Sequence, residues 1–223
     1  MMIPDYEQML EAFYTGLLSP GDTCIDVGAH TGRHTLPMAR CINPGGRVFA
    51  FEPIPAIATE LGEKLSALPD ISGKVELTQC ALADTSGEAD FTLVSNNPGY
   101  SGLLPRHYDR EEQTQIIRVT LRRLDDFIAG IPSVRYIKID CEGAELRVLR
   151  GANVLLERDR PIVSFECGDA SLESYDYDAG DIFDFWSTHS YDMQSITRQS
   201  LDRARFVDAC ARQEYWDYIA FPS

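Results

Sequence analysis

Four strand-like runs in this 223-residue sequence carry a carboxylate at or beside their last residue: TCIDV at Asp26, RVFAFE at Glu52, VRYIKID at Asp140 and PIVSFE at Glu166. A further acid, Glu142, follows Asp140 by two positions. Carboxylates so placed can take a proton from a hydroxyl, accept hydrogen bonds from a ribose, or ligate a hard cation. Any one of them alone is explained as a helix cap or turn residue. Four together exceed what packing requires.

The first run continues into Gly28-Ala29-His30-Thr31-Gly32, which reads as a tight turn entering a helix. Glycine lacks the Cβ that would keep backbone N–H groups and a helix N-terminus away from a ligand. A dinucleotide turn wants G-x-G-x-x-G, its middle glycine making room for the pyrophosphate. Here His30 stands in that place, and a pyrophosphate is crowded. S-adenosylmethionine carries no phosphate; its amino-acid end needs a backbone carbonyl and an acid, which Asp26 helps to supply. Glu52 suits a ribose, and the small apolar Ala81 and Leu82 suit one wall of an adenine slot. An NAD-dependent oxidoreductase and a non-catalytic adenosylmethionine-binding protein remain as rivals.

Positioning these residues requires a sheet. Strand-like runs at 23–27, 47–52, 75–80, 134–140 and 161–166 alternate with helical patterns at 33–42, 55–68 and 144–156, which predicts an α/β fold with a mostly parallel, doubly wound sheet. Ligands of such sheets sit at the carboxyl ends of the strands, near the switch in strand order. Two more strands, ADFTLV and QIIRVTL, predict an inserted hairpin near 89–121 with a long polar tip at 96–112. The tail predicts a helix near 180–189, a strand at 191–196, a short helix near 202–211 and a last strand WDYIAF, giving a C-terminal antiparallel hairpin at one sheet edge. The expected organisation is one domain over 1–223: an N-terminal helix in 1–19, a cofactor-binding core in 20–168 and the end of the sheet in 169–223.

Composition narrows the partners. Thirty-five acids against 20 Lys and Arg give a net charge of −15, which repels phosphate backbones, so nucleic acid is not expected. The short basic stretches Arg118 to Arg123 and Arg203 to Arg212 read as solvated faces. No apolar run approaches the ~20 residues of a membrane span, and the acidic N-terminus MMIPDYEQMLEAFYTG does not read as a secretory signal. Six cysteines show no metal-like spacing; Cys24, Cys80, Cys141 and Cys167 fall in the predicted strands, as small hydrophobes of a reduced, cytoplasmic protein.

The segments IDVGAHTGRHT (25–35), VFAFEPIP (48–55), CALAD (80–84) and RRLDDFI followed by YIKIDCEGAELRVLRGA (122–152) resemble the FkbM family of S-adenosylmethionine-dependent methyltransferases. The likeness covers roughly 20–168, and IDCEGAE is its most distinctive part. His30 and His34 depart from it, standing where related sequences usually show Asn or an aromatic. The resemblance implies a Rossmann-like methyltransferase fold and O-methyl transfer to a hydroxyl of a small molecule, sugar or glycan. It places Asp26, Gly28, His30 and Gly32 at the methionine end of the cofactor, Glu52 with Pro53 at the ribose, Ala81 and Leu82 at the adenine, and Asp140 near the sulfonium and the acceptor.

Methyl transfer to an alcohol needs alignment, exclusion of water and a home for the hydroxyl proton. Asp140, Glu142 and Glu166 are the candidate bases. Asp140 and Glu166, on adjacent strand ends, could also share Mg²⁺, but no third ligand is identified and no metal is assigned. Glu145 reads as a helix-terminus contact, Lys138 as a partner for a nearby acid, His107 as a solvated loop residue and His189 as a helix end. Tyr100-Ser101-Gly102 is the expected acceptor-side lid. The oligomeric state is open, with a homodimer carried forward.

Overall fold

The computed structural model describes residues 5–108 and 110–223, so the first four residues and Asp109 of the 96–112 loop lie outside the described residues. Helix α1 (Tyr6–Leu17) leads into β1 (Thr23–Val27), α2 (Thr35–Cys41), β2 (Arg47–Phe51), α3 (Pro55–Ser66) and β3 (Val75–Thr78). Then come β4 (Ala81–Leu82), β5 (Gly87–Val94), β6 (Thr114–Arg122), β7 (Tyr136–Ile139), α4 (Glu145–Arg150), α5 (Asn153–Asp159) and β8 (Ile162–Glu166). The C-terminal part holds α6 (Asp169–Leu172), α7 (Ala179–Thr188), β9 (Tyr191–Ser195), β10 (Ser200–Leu201), α8 (Arg203–Ala211) and β11 (Asp217–Pro222).

Eight strands form the main sheet in the order β10-β9-β11-β8-β7-β1-β2-β3. The run from β8 to β3 is parallel, and β11 enters antiparallel between β8 and β9. This is the α/β methyltransferase fold with its C-terminal antiparallel hairpin. Every residue of β1 and β7 is buried, as a central parallel strand covered on both faces requires. The chain leaves β1 toward β3 on one side and returns through β7 and β8 on the other. The switch in direction therefore falls between β1 and β7, and their carboxyl ends frame the crevice where such sheets bind ligands.

Local chemistry sets the element ends. Asp5 caps α1 by accepting the N–H of Gln8 at 3.0 Å, and the helix buries Tyr6, Leu10 and Tyr14 at four-residue spacing. Pro55 opens α3, where its missing N–H costs nothing. Asp178 and Asp181 form a reciprocal capping box at the start of α7.

Three expectations shift. The helix expected over 144–156 is two, because the chain turns at Gly151 and Ala152, where the Gly151 carbonyl accepts Asp125 N–H at 2.9 Å. The strand expected over 75–80 stops at Thr78; Ala81 and Leu82 leave it to pair in parallel with β6. The inserted hairpin, β5 with β6, therefore belongs to a separate three-stranded sheet, β4-β6-β5. Of the four cysteines read into strands only Cys24 lies in one; Cys80 precedes β4, and Cys141 and Cys167 follow the last residues of the neighbouring strands.

Candidate active site

The turn after β1 is bound tightly to its surroundings. Gly28 N–H and Ala29 N–H both donate to Phe51 O at 3.0 Å, His30 N–H donates to Glu52 Oε2 at 2.9 Å, and Gly32 N–H donates to Ala29 O at 2.9 Å. The sequence suggested free N–H groups facing a ligand. These four are instead consumed within the protein, so the turn has few donors for a phosphate and presents carbonyls and side chains.

Gly28 is required for a second reason. Its φ is +79°, and a Cβ built on it would lie 1.9 Å from the Asp140 carbonyl oxygen. The missing side chain brings β1 and β7 together at the site. His30 also adopts a positive φ, 47°, unusual for a residue with a Cβ. Burial lowers its imidazole pKa below the ordinary value, and Nε2 has no hydrogen-bond partner.

A cavity of about 330 Å³ opens above this turn. Asp26, Gly28, His30, Glu52, Pro53, Ala81, Leu82, Asp140 and Glu142 all line it. Gly32 does not; it sits behind the turn, against Leu36 and Leu61. Glu166 is not on the wall either, but its carboxyl oxygen lies within 4.8 Å of those of Asp140 and Glu142. Pro98, Gly99, Tyr100, Ser101 and Leu103 close the opposite side. Ser101 Oγ accepts Val94 N–H at 2.9 Å, and Gly102 bridges to Thr92, which fastens this segment to β5.

Charge is distributed unequally. Asp26 is fully buried: Oδ2 accepts Thr35 Oγ1–H at 2.6 Å, while Oδ1 has no hydrogen-bond partner. Lys138, the one fully buried lysine or arginine among the described residues, lies opposite Asp26 in the β1–β7 register. Its Nζ is 3.1 Å from Asp140 Oδ2 and 3.9 Å from Asp26 Oδ1. Burial works against an ionised Asp140, but Lys138 and a hydrogen bond from Glu166 outweigh it and hold its pKa below the usual range. Burial pushes Glu142 up to about 8, with Asp140 adding to the rise and Arg106 opposing it. Glu166 is raised well above the carboxylate range by burial and then by Asp140. Glu52, whose Oε1 also accepts Ile54 N–H at 2.8 Å, is raised to about 7 by burial.

Sequence reasoning missed three participants. Glu7 of α1 reaches the cavity from outside the strand ends. Arg106, paired with Glu142 and lying 4.7 Å over the Tyr100 ring, comes from the variable-looking loop. Asp217, opposite Glu166 in the β8–β11 register and raised to about 8 by burial, opens the last strand. The acid in WDYIAF was its only signal.

The remaining candidates fall elsewhere. Glu145 Oε1 accepts Cys141 N–H at 2.8 Å and shapes the turn after β7. His107 is largely exposed and faces Glu173, and His189 caps the end of α7. The arginines of the two basic stretches are held by acids, as in Arg118–Asp90, Arg123–Asp126, Arg203–Asp184 and Arg212–Asp208. Among the described residues no helix is long and apolar enough to cross a membrane.

A family model of the Methyltransferase FkbM domain matches residues 26–193. Methyltransferase sdnD of Sordaria araneosa is 28% identical, the match covering 78% of this chain and 81% of that protein. The 31-O-demethyl-FK506 methyltransferase FkbM of Streptomyces tacrolimicus is 31% identical over 60% of each chain, so this chain spans about three fifths of its length. Among solved structures, Methyltransferase FkbM from Methylobacillus flagellatus KT superposes with a TM-score of 0.56 at 16% identity, covering 99% of this chain and 56% of that one, a likeness of fold.

Proposed function

The chain belongs to the FkbM family of S-adenosylmethionine-dependent methyltransferases, and from that premise we propose that it transfers the methyl group to a hydroxyl of a small molecule or glycan. The observation that carries the donor assignment is the turn itself. With the N–H groups of Gly28, Ala29, His30 and Gly32 engaged, a pyrophosphate finds little to bind, whereas Asp26 Oδ1, with no hydrogen bond and only the Lys138 ammonium 3.9 Å away, still suits a cationic group. The name of the Streptomyces relative, which denotes methylation of a hydroxyl, supports the acceptor class.

Glu52 accepts the ribose hydroxyls with Pro53 beside it, and Ala81 and Leu82 flank the adenine. Asp26, Gly28 and His30 face the methionyl end, with Gly32 shaping the turn from behind. The donor supplies a methyl group on a positively charged sulfur that leaves as a neutral thioether. Asp140, kept ionised by Lys138, takes the hydroxyl proton as the oxygen gains its methyl group. Glu142 and Glu166, with raised pKa values, stay protonated at neutral pH and donate hydrogen bonds around it. Tyr100 to Leu103 cover the acceptor side and exclude water. Asp140, Glu142 and Glu166 are close enough to share Mg²⁺, but Lys138 already balances Asp140 and Arg106 already donates to Glu142 Oε2, and no step here passes through a metal.

Calorimetric titration with S-adenosylhomocysteine beside NAD⁺, each with EDTA and with Mg²⁺, tests the donor. Binding of the former alone, unchanged by EDTA, is expected; binding of NAD⁺ instead would overturn the assignment. Label transfer from methyl-labelled donor to a panel of hydroxylated compounds tests the acceptor class, and product found only on nitrogen refutes it.

A further inference from the structure

Helix α1 lies wholly before residue 26, where the family match begins, yet it supplies part of the cavity wall. Glu7 enters the polar end of the cavity, beside Asp26, Arg33, His34 and Lys138. Its position is fixed by a short chain of hydrogen bonds. Glu7 Oε2 is 2.7 Å from His34 Nε2, and His34 Nδ1 is 3.1 Å from the Tyr14 hydroxyl. A neutral imidazole carrying its proton on Nε2 satisfies both contacts: it donates to Glu7 and accepts from Tyr14. His34 is buried, and Tyr14 is fully so, which anchors the carboxylate from behind. The second oxygen of Glu7 has no such partner and is available to a ligand. Arg33, held by Glu11 and 3.9 Å from Glu7, sets a cation beside it.

Carboxylate and guanidinium side by side match a zwitterion, not the uncharged hydroxyl of an acceptor. We propose that α1 completes the donor site, with the Glu7 carboxylate, oriented by His34 and Tyr14, binding the α-ammonium of the methionyl end. This rests on the donor assignment made above and adds a residue that the strand-end pattern does not contain. The His34 hydrogen bond holds the Glu7 carboxyl below its usual range, against the opposing effect of burial, so it carries its charge at neutral pH. His34 and Tyr14 act through Glu7 and are positioning residues.

The test compares two ligands that differ only at the amino-acid end. S-adenosylhomocysteine carries the ammonium and carboxylate; 5′-methylthioadenosine keeps the nucleoside and the thioether and lacks both. Calorimetry on the full chain is expected to show Glu7→Gln weakening S-adenosylhomocysteine about tenfold while 5′-methylthioadenosine changes less than about twofold. Tenfold is the lower end for a hydrogen bond to a charged group, because nearly half of the Glu7 side chain meets water. His34→Leu shifts the two ligands in the same unequal way. Gln8→Ala, the next residue along α1, exposed and absent from the cavity wall, changes neither. Equal loss of both ligands in Glu7→Gln reduces α1 to a structural wall and overturns the proposal, as does unchanged affinity for S-adenosylhomocysteine. If the unaltered protein binds 5′-methylthioadenosine and S-adenosylhomocysteine equally well, Glu7 has no ligand to hold and the proposal fails while the nucleoside site stands. Failure to bind either ligand removes the donor assignment and this proposal with it.

Discussion

Replacing Lys138 with Met removes the cation between Asp26 and Asp140 and keeps most of the side-chain volume. Asp140 Oδ2 loses its 3.1 Å partner, and Asp26 Oδ1, already without a hydrogen bond, loses the charge 3.9 Å away. Breaking a buried ion pair from one side costs about 3–5 kcal/mol; because about a third of the Asp140 side chain meets water, the lower end, about 3 kcal/mol, applies, which for a chain of this size lowers the melting temperature by about 6–12 °C. The deficit depends on pH, and its sign is fixed by the direction of each shift. In the unaltered protein Asp140 titrates below its unfolded value, so its contribution is present above about pH 4 and lost only in stronger acid. The raised pKa of Lys138 keeps its own contribution intact up to about pH 10. Between pH 5 and 8 both terms are therefore constant. In Lys138→Met, burial without the counter-ion raises the Asp140 carboxyl above its unfolded value; ionising it is unfavourable, and lowering the pH relieves it. The stability gap should be widest at pH 8 and narrow toward pH 5 by about 1.4 kcal/mol for each pH unit and each carboxyl titrating in that window. Thermal unfolding followed by circular dichroism at pH 5, 6.5 and 8 measures it. A gap under about 1 kcal/mol that does not change with pH would show that Lys138 is not what balances these acids.

Three more tests bear on the same site. Gly28→Ala meets both a positive φ and the Asp140 carbonyl, so a loss of about 3 kcal/mol or more is expected, together with loss of S-adenosylhomocysteine binding; a normal melting curve refutes the close approach of β1 and β7. Glu52 titrates near 7 because it is buried and must be ionised to accept two hydroxyls, so affinity for S-adenosylhomocysteine should rise as the pH passes up through about 7. Glu52→Gln should flatten that profile, and a profile flat already in the unaltered protein contradicts the ribose role. Asp140→Asn should leave S-adenosylhomocysteine affinity within about threefold and cut methyl transfer by about 10²–10⁴-fold; full transfer would remove Asp140 from the chemistry.

What the sequence disclosed follows from how each signal is written. The parallel core was legible because β1, β2 and β7 are short, apolar and β-branched, and each delivers its acid at the end where the crevice lies. The place of the hairpin was not. Ala81 and Leu82 continue the apolar character of β3 with no punctuation, so nothing local announces that the chain has changed sheets. Gly28 was read for its approach to a ligand, and the Asp140 carbonyl on its other side was not foreseen, since a glycine reveals that something comes close without naming it. Lys138 was read as a partner for an acid, but its central place depends on the pairing of β7 with β1, which sets Lys138 opposite Asp26 across a long stretch of intervening chain. Glu7, Arg106 and Asp217 stayed hidden for the same reason: their roles arise from packing between segments far apart in the chain.

The loop that tips the hairpin is clasped where it leaves the strands, Ser95 N–H donating to Gln113 O at 2.7 Å and Gln113 N–H to Asn96 Oδ1 at 3.0 Å. The chain between these residues is thus a closed side loop, tied back to the fold by contacts such as Arg106 with Glu142 and His107 N–H with Ala170 O at 3.1 Å, and beyond those ties its length is felt through the entropy of closing it. That cost grows by about 0.6 kcal/mol for each doubling. The stretches between those ties can lengthen, shorten or be exchanged while the strands holding the turn, Glu52 and Asp140 keep their register. On the proposed reading, which puts this loop on the acceptor side, choice of acceptor and grip on the donor become separately inheritable traits.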